Sequence, residues 1–383
     1  MSDENKIIRV AQVIGPAVNG GTEAFAMNYY QNIDRTKVQF DFLVESTSRI
    51  IDKDKIESIG GHVVIIPSYK NPLKYVQTLT KIFKENKYDI VHSNMNTLSY
   101  FTLKAAKRAG IKVRIAHSHS TSNPNEFTRN FIKNTLRPLS KKYATNYFAC
   151  SELAGRYLFG DKTFDKGKVI VINNGIDVDK FKYNEEYNIS LRKELNISPT
   201  TKVIGHVGRF VSQKNHTYLI DIFKEIHDKD NDTKLLLLGD GPLLEDIKNK
   251  VHSYNLDDSV IFAGIHSDIY RYYSVMNILL LPSLYEGLPV VGVEAQASGI
   301  PFIFSDNITK EAKILDSTIL MSIDNNAIDW ANKTIELLNN TYDRLSINNS
   351  FKNTIYDIDG ETKKLLGYYQ EMMEADNNGN GSK

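Results

Sequence analysis

The chain has 383 residues, of which 41% are hydrophobic and 24% charged, so it is long enough for two ordinary globular domains. A formal net charge of +1 gives no case for nucleic acid as a partner, no nucleic-acid recognition motif occurs, and a single cysteine, Cys150, excludes an internal disulfide. No signal peptide is predicted, and no apolar run approaches the roughly 20 residues of a membrane-spanning helix. We therefore expect a cytoplasmic protein, soluble or peripheral to a membrane.

Short apolar runs alternate with helical patterns through the first half of the chain, and several of these patterns end in glycine. Such alternation is typical of a parallel, doubly wound α/β sheet. The apolar runs predict strands at residues 7–14, 40–44, 62–66, 89–92, 113–117, 146–150 and 169–172.

A glycine-rich turn, residues 15–21, separates the first predicted strand from a predicted helix at residues 22–32. Glycines such as Gly20 and Gly21 let the backbone approach a ligand closely. The turn lacks the Gly-x-Gly-x-x-Gly spacing, and no acidic residue ends the predicted second strand, which together disfavour a nicotinamide dinucleotide. A tight turn with only a structural role is the alternative interpretation.

Two histidines, His117 and His119, lie where a buried strand is predicted to end, among several hydroxyl side chains. This edge of a parallel sheet is where ligands bind. Because the chain has one cysteine, a histidine pair at this spacing lacks the further ligands of a convincing zinc site. At least one of the two can equally be a core histidine with all its hydrogen bonds made.

Residues 127–143 form a basic segment in which cations and apolar residues are interleaved and no acid occurs. Pro138 must kink or break a helix there. Such a segment can lie on anionic lipid or bind an anionic acceptor, and the pattern fits equally well a solvated helix face over a core stripe. The cations are Arg129, Lys133, Arg137, Lys141 and Lys142.

The second half repeats the alternation of strands and helices. Asp177 and Asp179 precede it as an Asp-x-Asp pattern, which we interpret as turn-capping acids rather than metal ligands. Arg209 and Lys214 follow its first strand, where a guanidinium fork and a point charge can clamp a diphosphate. The predicted strands are residues 203–207, 235–238, 260–262, 278–281 and 302–304.

The most informative stretch is residues 277–301, NILLLPSLYEGLPVVGVEAQASGIP. It predicts a strand, a loop ending in Gly-Leu-Pro, and a helix with Pro289 at its first position. Free amide groups at such a helix start attract anions, so the backbone of Gly287, Leu288 and Val290 is placed to bind a phosphate. Glu286 and Glu294 cannot bind that phosphate and are expected to hold hydroxyl groups beside it. This combination predicts a nucleotide-sugar site.

The Glu-x7-Glu frame within this stretch closely resembles the motif of retaining glycosyltransferases of family 4, which have the GT-B fold. The resemblance covers nearly the whole chain and extends to Gly-Arg at 208–209 and Gly-x-Gly-Pro at 239–242. It implies two Rossmann-like, doubly wound domains facing across a cleft, with a C-terminal helix crossing back to the first domain. The expected domains are residues 1–173 with the helix at about 355–374, and residues 174–354, followed by a disordered tail at 375–383.

The resemblance also implies a role for each motif residue in a bacterial polysaccharide-type enzyme. It would transfer a sugar from a nucleotide-sugar, UDP-linked in our prediction, to a saccharide or lipid-linked acceptor with retention, and would need no metal or other cofactor. Arg209 and Lys214 would hold the diphosphate, and Glu294 would hold the ribose. Glu286 and His119 would contact the transferred sugar, and His117 is the alternative to His119 in that role. The family's pattern assigns the remaining binding positions to Gly20, Gly21, Gly208 and Gly239, and to Ile265 in the loop whose backbone would hold the nucleotide base.

Two alternatives remain open on the sequence. A nucleotide-sugar epimerase would use the same fold and site and consume no acceptor. A non-catalytic scaffold of a polysaccharide-synthesis complex would keep the fold, but retention of the charged residues argues against it.

Overall fold

The computed structural model describes residues 6–15, 21–46, 53–119, 136–352 and 354–379. The chain divides into two compact units, each described here by itself. Unit 1 comprises residues 1–175 and 355–383, and unit 2 comprises residues 176–354.

Unit 1 contains a seven-stranded sheet within its described residues, and every strand pair is parallel. The spatial order is β3-β2-β1-β4-β5-β6-β7. Its central strands are fully buried because apolar side chains cover both faces, as in doubly wound folds. The strands are β1 Ile8–Gly15, β2 Val38–Glu45, β3 His62–Ile66, β4 Ile90–Ser93, β5 Val113–Ser118, β6 Asn146–Ala149 and β7 Val169–Val171.

Helices connect these strands, and the last helix of the chain packs onto this unit. That C-terminal helix buries Leu365 and Tyr369 in the same core cluster as β1 and β2 residues such as Val10 and Phe40. The helices are α1 Gly21–Asn32, α2 Lys53–Ser58, α3 Pro72–Asn86, α4 Ser99–Arg108, α5 Glu152–Phe159, α6 Asp161–Asp165 and, from the chain's end, α14 Ile358–Gly379.

Unit 2 repeats the design with a six-stranded parallel sheet in the order β10-β9-β8-β11-β12-β13. Its strands are β8 Lys202–Val207, β9 Thr233–Leu238, β10 Val260–Gly264, β11 Ile278–Leu281, β12 Phe302–Ser305 and β13 Thr318–Met321. Its helices are α7 Glu185–Glu194, α8 His216–His227, α9 Leu244–Ser253, α10 Ile269–Val275, α11 Val290–Ala297, α12 Ala327–Leu338 and α13 Arg344–Phe351.

Each sheet has a point where the strand order changes direction, and loops at such a point diverge to leave a crevice for ligands. In unit 1 this point lies between β1 and β4, and in unit 2 between β8 and β11. The loops and side chains at these carboxyl ends are therefore the ones that the fold offers to a ligand.

The predicted parallel α/β sheets are confirmed, and four details were wrong. The edge strand β13 was not predicted, and β2 does end in an acid, the buried Glu45 that accepts from the Tyr69 amide. The helix of the central stretch begins at Val290, with Pro289 as its N-cap. The C-terminal helix extends to Gly379, so residues 375–379 are helical rather than disordered, and residues 380–383 lie outside the described part.

Candidate functional site

The loops after β8 and β11 lie side by side at the switch point of unit 2. The amide of Leu284 donates to the carbonyl of Gln213 at 2.8 Å, and the Gln213 side chain donates to the carbonyl of Tyr285 at 2.9 Å. The side chain of Asn215 closes the contact by donating to the carbonyl of Pro282 at 3.1 Å. The two loops therefore form one surface.

An ion pair lies on that surface. Lys214 Nζ is 2.7 Å from Glu286 Oε1, and these side chains are only 16% and 9% exposed. The hydroxyl of Ser283 donates to the same carboxylate oxygen at 2.6 Å. The structure thus brings together two predicted site residues, but it pairs Glu286 with a cation, whereas we expected Lys214 to await a phosphate and Glu286 a sugar.

Glycines allow the β8 loop to lie directly on the turn after β9. Gly239 has a φ of +138°, and a Cβ atom there would meet the carbonyl oxygen of Gly208 at 2.1 Å. A Cβ on Gly241 would meet the Phe210 carbonyl oxygen at 2.5 Å. No side chain can occupy either position without moving the backbone, and the loop so held presents an exposed Arg209 to solvent.

The start of α11 offers backbone amides without a side-chain cap. Its N-cap residue is Pro289, which accepts no amide through its side chain. Gly287 is exposed, and a Cβ atom there would meet nothing within 4 Å, so this backbone borders open space. Leu288 and Val290 on either side of the proline are only partly buried. An anion could approach these amides as predicted.

Glu294 lies on the same helix and is partly buried. Its Oε2 accepts a hydrogen bond from the hydroxyl of the fully buried Tyr273 at 2.8 Å. Burial raises the pKa of the Glu294 carboxyl from 4.5 to about 7, although the Tyr273 hydroxyl and Lys180 act in the opposite direction. Burial and the neighbouring Glu294 carboxylate raise the pKa of Tyr273 well above its usual value.

The end of β10 provides an apolar surface beside the glycine turn. Gly264 has a φ of +80°, and its carbonyl accepts from the Gly239 amide at 2.7 Å. The next residue, Ile265, is 69% exposed although it is large and apolar. This placement suits the predicted contact with a nucleotide base, which has a flat apolar face.

In unit 1, His117 and His119 lie together at the end of β5. Their ring centroids are 3.9 Å apart, and Phe25 of α1 contacts both rings. His117 is fully buried, whereas His119 is partly exposed. Gly21 begins α1, and Gly20 lies outside the described residues.

Sequence reasoning missed the polar side chains that hold these histidines. His92 lies in β4 and bonds to His117, and Asn94, directly after β4, bonds to His119. Gln12 and Tyr369 complete the same cluster. The polar run His92-Ser-Asn94 after a buried strand could have indicated the first two, but no local pattern marks Tyr369.

The two aspartates between the halves have local partners. Asp177 Oδ1 accepts from the Lys180 amide at 3.1 Å, and Asp179 Oδ1 lies 2.6 Å from Lys352 Nζ. Across the described ranges, no three His, Cys, Asp or Glu side chains gather as a metal site. None of the helices in the part that the structure describes is both long and apolar enough to cross a membrane.

The basic segment lies only in part within the described residues. Residues 127–135, and with them Arg129 and Lys133, fall outside. Residues Arg137–Leu139 form a short 3-10 turn that includes Pro138. Lys141 is not free for an external anion, because its Nζ donates to the Phe159 carbonyl at 2.9 Å and to Thr163 Oγ1 at 3.3 Å.

Two family models match the chain, one for each half. The model described as Glycosyltransferase Family 4 matches residues 19–180, and the one described as Glycosyl transferases group 1 matches residues 188–354. Together they include every site residue predicted from the sequence.

Individual relatives match over most of their length. The chain is 37% identical over 308 residues to EpsF of Bacillus subtilis, itself assigned to the glycosyltransferases, covering 79% of this chain and 80% of the relative. It is 28% identical over 239 residues to an Escherichia coli UDP-Gal:α-D-GlcNAc-diphosphoundecaprenol α-1,3-galactosyltransferase, covering 61% and 62%.

A solved structure has the same fold. HepE of Anabaena, solved in complex with UDP and glucose, superposes with a TM-score of 0.77 at 17% sequence identity, covering 95% of this chain and 99% of HepE. The predicted GT-B architecture is therefore confirmed. The EpsF identity and the two family models show that this chain is an enzyme of the glycosyltransferases, with a family 4 first half and a group 1 second half.

Proposed function

We propose that this glycosyltransferase moves a sugar from a UDP-sugar to a hydroxyl of a saccharide or lipid-linked acceptor in cell-surface polysaccharide or glycolipid synthesis, without a metal and with retention. The observation that carries the proposal is the surface of unit 2, where the Lys214–Glu286 pair adjoins the uncapped start of α11. The E. coli relative, which uses UDP-Gal and a diphosphoundecaprenol acceptor, and HepE with bound UDP support the choice of donor and acceptor.

The donor would bind with its charged part on the joined loops. The diphosphate would be stabilised by Arg209, Lys214 and the amides of Gly287, Leu288 and Val290. The close contact of Gly208 with Gly239 would let the loop backbone approach the diphosphate. These groups act on the charge that develops when the bond from the anomeric carbon to the diphosphate breaks.

Lys214 has to change partner for this to happen. In the structure it is paired with Glu286, and a diphosphate is the stronger partner for a point charge because it carries more negative charge. The exchange would release Glu286 to accept hydroxyl groups of the sugar. Donor binding thereby prepares the sugar-binding carboxylate.

The remaining groups would hold the two ends of the donor. Glu294 would accept the ribose hydroxyls, and the exposed Ile265 and its backbone would hold the base. The predicted sugar contact of His119, with His117 as its neighbour, is part of the proposal. The acceptor oxygen then bonds to the anomeric carbon, its proton is lost, and UDP leaves.

Nucleotide release tests this proposal. The chain is incubated with UDP-sugars, with and without a short glycan on a lipid diphosphate, and UDP and glycosylated product are quantified together. We expect UDP to appear in a one-to-one ratio with an α-linked product, and only when the acceptor is present. Conversion of the UDP-sugar to its epimer without acceptor, or a β-linked product from an α-linked donor, would contradict the proposal.

A thermal unfolding screen of nucleotide-sugars identifies the donor beforehand. A ligand that binds only the folded chain stabilises it by about 2.7 kcal/mol at 100 times its Kd. We expect UDP-linked sugars to raise the unfolding temperature more than their GDP- or ADP-linked counterparts.

A further inference from the structure

Unit 1 contains a hydrogen-bonded circuit of mostly buried polar side chains that begins at one histidine of the pair and ends at the other. All of its members except His119 are at most 2% exposed. The circuit joins β1, β4 and β5 to the C-terminal helix α14, and its members come from opposite ends of the chain. They are Gln12, His92, Asn94, His117, His119 and Tyr369.

One arm of the circuit runs from Tyr369 to His117. The Tyr369 hydroxyl is 2.6 Å from His92 Nδ1, and His92 Nε2 is 2.9 Å from His117 Nδ1. The arm ends at His117 Nε2, a buried atom that has no hydrogen-bond partner among the described residues.

The other arm runs from the same hydroxyl to His119. Gln12 Nε2 donates to the Tyr369 hydroxyl at 3.1 Å, and Asn94 Nδ2 donates to Gln12 Oε1 at 2.9 Å. Asn94 Oδ1 is 2.8 Å from His119 Nε2. This arm ends at His119 Nδ1, which is also buried and without a partner in the described part of the chain.

The phenol hydroxyl fixes the direction of both arms together because it has one hydrogen. It accepts from Gln12, and because a buried hydroxyl also uses its hydrogen, it donates to His92 Nδ1. His92 then carries its proton on Nε2 and donates to His117, which leaves a donor N–H on His117 Nε2. In the other arm Asn94 accepts from His119 Nε2, which leaves a lone pair on His119 Nδ1.

Turning the side-chain amides of Gln12 and Asn94 by 180° reverses the direction of every hydrogen bond in the circuit. The Tyr369 hydroxyl still donates one hydrogen bond and accepts one. Tyr369 then donates to Gln12 and accepts from His92 Nδ1–H, so His117 Nε2 becomes an acceptor and His119 Nδ1 a donor. In both directions the two open nitrogens have opposite roles, and all three histidines carry their proton on the same type of nitrogen. Burial supports neutral rings, since it lowers the pKa of His92 and His119 to about 3.

We propose that Tyr369 is a positioning residue which, through His92 and Gln12, gives His117 and His119 opposite hydrogen-bond roles and so makes the pair selective for a hydroxyl. A hydroxyl both donates and accepts, so it matches two open nitrogens of opposite role, whereas a phosphate or carboxylate only accepts. This inference rests on the proposed function, in which the pair contacts the sugar. It adds the residue that sets the pair's preference for a hydroxyl.

The first test uses the unliganded protein and needs no substrate. The chain is labelled with ¹⁵N-histidine, and long-range proton–nitrogen correlations at neutral pH report which ring nitrogen carries the proton. We expect His92, His117 and His119 to share one tautomer in the wild type. In Tyr369→Phe we expect His92 and His117 to shift toward averaged values, because their arm has lost its fixed end.

Tyr368→Phe is the matched control, since Tyr368 is the neighbouring residue on α14 and lies outside the circuit. It should leave all three signals unchanged. Mixed tautomers in the wild type, or identical histidine signals in wild type and Tyr369→Phe, would overturn the inference. A urea unfolding curve for each variant establishes that the chain remains folded.

The second test measures selectivity. Wild type and Tyr369→Phe are compared with the donor sugar and with its deoxy analogues, each lacking one hydroxyl. We expect the wild type to discriminate by at least 10-fold in kcat/KM against one analogue, and Tyr369→Phe to lose most of that preference. Discrimination that is unchanged in Tyr369→Phe would overturn the role. Absence of any transfer would count against the proposed function alone, because the tautomer measurement does not depend on it.

Discussion

The candidate sites of the two units occupy equivalent positions in their sheets but are built from opposite kinds of side chain. In unit 2 the groups at the switch point are charged, partly exposed and carried by loops, as with Lys214 and Glu286. In unit 1 they are uncharged and mostly buried, and they lie on strands or directly after them; burial lowers the pKa values of His92, His117 and His119.

The proposed ligands would account for this difference. A diphosphate is bound by charges, and charges on loops can exchange an internal partner for the ligand. A hydroxyl is bound by one donor and one acceptor, whose roles must be set before the ligand arrives. A buried, fully directed network achieves this, because reversing one bond inside it would leave a polar group without a partner.

The largest expected effect concerns the charges of unit 2. Replacing Lys214 or Arg209 by alanine should lower turnover at least 100-fold, which corresponds to about 2.7 kcal/mol of transition-state stabilisation. Lys248→Ala is the control, because Lys248 lies in the same unit and forms only an exposed ion pair with Glu245. Near-normal turnover in both site variants would remove these cations from the mechanism.

The pH dependence of the folding stability tests how strongly Glu294 of unit 2 is buried. The pKa of Glu294 is raised to about 7, so between pH 4.5 and 7 the folded chain keeps a proton that the unfolded chain has lost. Its contribution to stability therefore falls as pH rises through this window, by at most about 3 kcal/mol. Urea unfolding at pH 5 and pH 7.5 should show this loss in the wild type relative to Glu294→Gln. Parallel pH dependence in the two proteins would show that the carboxyl titrates normally.

Variants of the two glutamates, Glu286 and Glu294, should differ in their affinity for UDP. If Glu294 holds the ribose, Glu294→Gln should weaken UDP binding about 10-fold, roughly the loss of one hydrogen bond to a charged group. Glu286→Gln should leave UDP affinity equal or higher, because Lys214 no longer has a competing partner, while turnover falls. Titration calorimetry with UDP alone decides between these roles, and equal weakening in both variants would contradict them.

The smallest effect is expected for the basic segment. Each cation near an anionic surface contributes about 1 kcal/mol, and the attraction fades with salt. We propose weak binding to vesicles containing anionic lipid at low salt, lost when Lys133, Arg137 and Lys142 are changed together to serine. Lys141 is kept because it bonds to Phe159 and Thr163.

A second triple variant serves as the control for this binding. Lys162, Lys166 and Lys168 are exposed cations of the same unit, and changing them to serine removes equal charge. Equal loss of vesicle binding in both triple variants would assign the effect to net charge. No binding by the wild type at low salt would exclude the membrane as a partner of the segment.

Most of the fold could be predicted because buried parallel strands are continuous apolar runs, as in residues 278–281. The edge strand β13 was missed because it is only four residues long, three of them half-buried, and follows a polar turn. The helical continuation to Gly379 was missed because the last residues are polar and rich in asparagine and glycine.

The site could be predicted only where its chemistry is local in sequence. Glu286, Gly287 and Glu294 share one turn and helix, so their spacing reveals them. Lys214 and Glu286 are 72 residues apart and Tyr369 is 277 residues from His92, so these pairings depend on how the sheets fold. Sequence proximity could not reveal that Lys214 is paired before the ligand binds.

The central claim is that side chains and amides of unit 2 neutralise the leaving diphosphate. Turnover of a UDP-sugar onto its acceptor in excess chelator tests it most directly. We predict the same rate with chelator as without it, and no gain when magnesium or manganese is added back. A complete loss of turnover in chelator that either metal restores would contradict the claim and would make Asp177 and Asp179 candidates for the metal ligands.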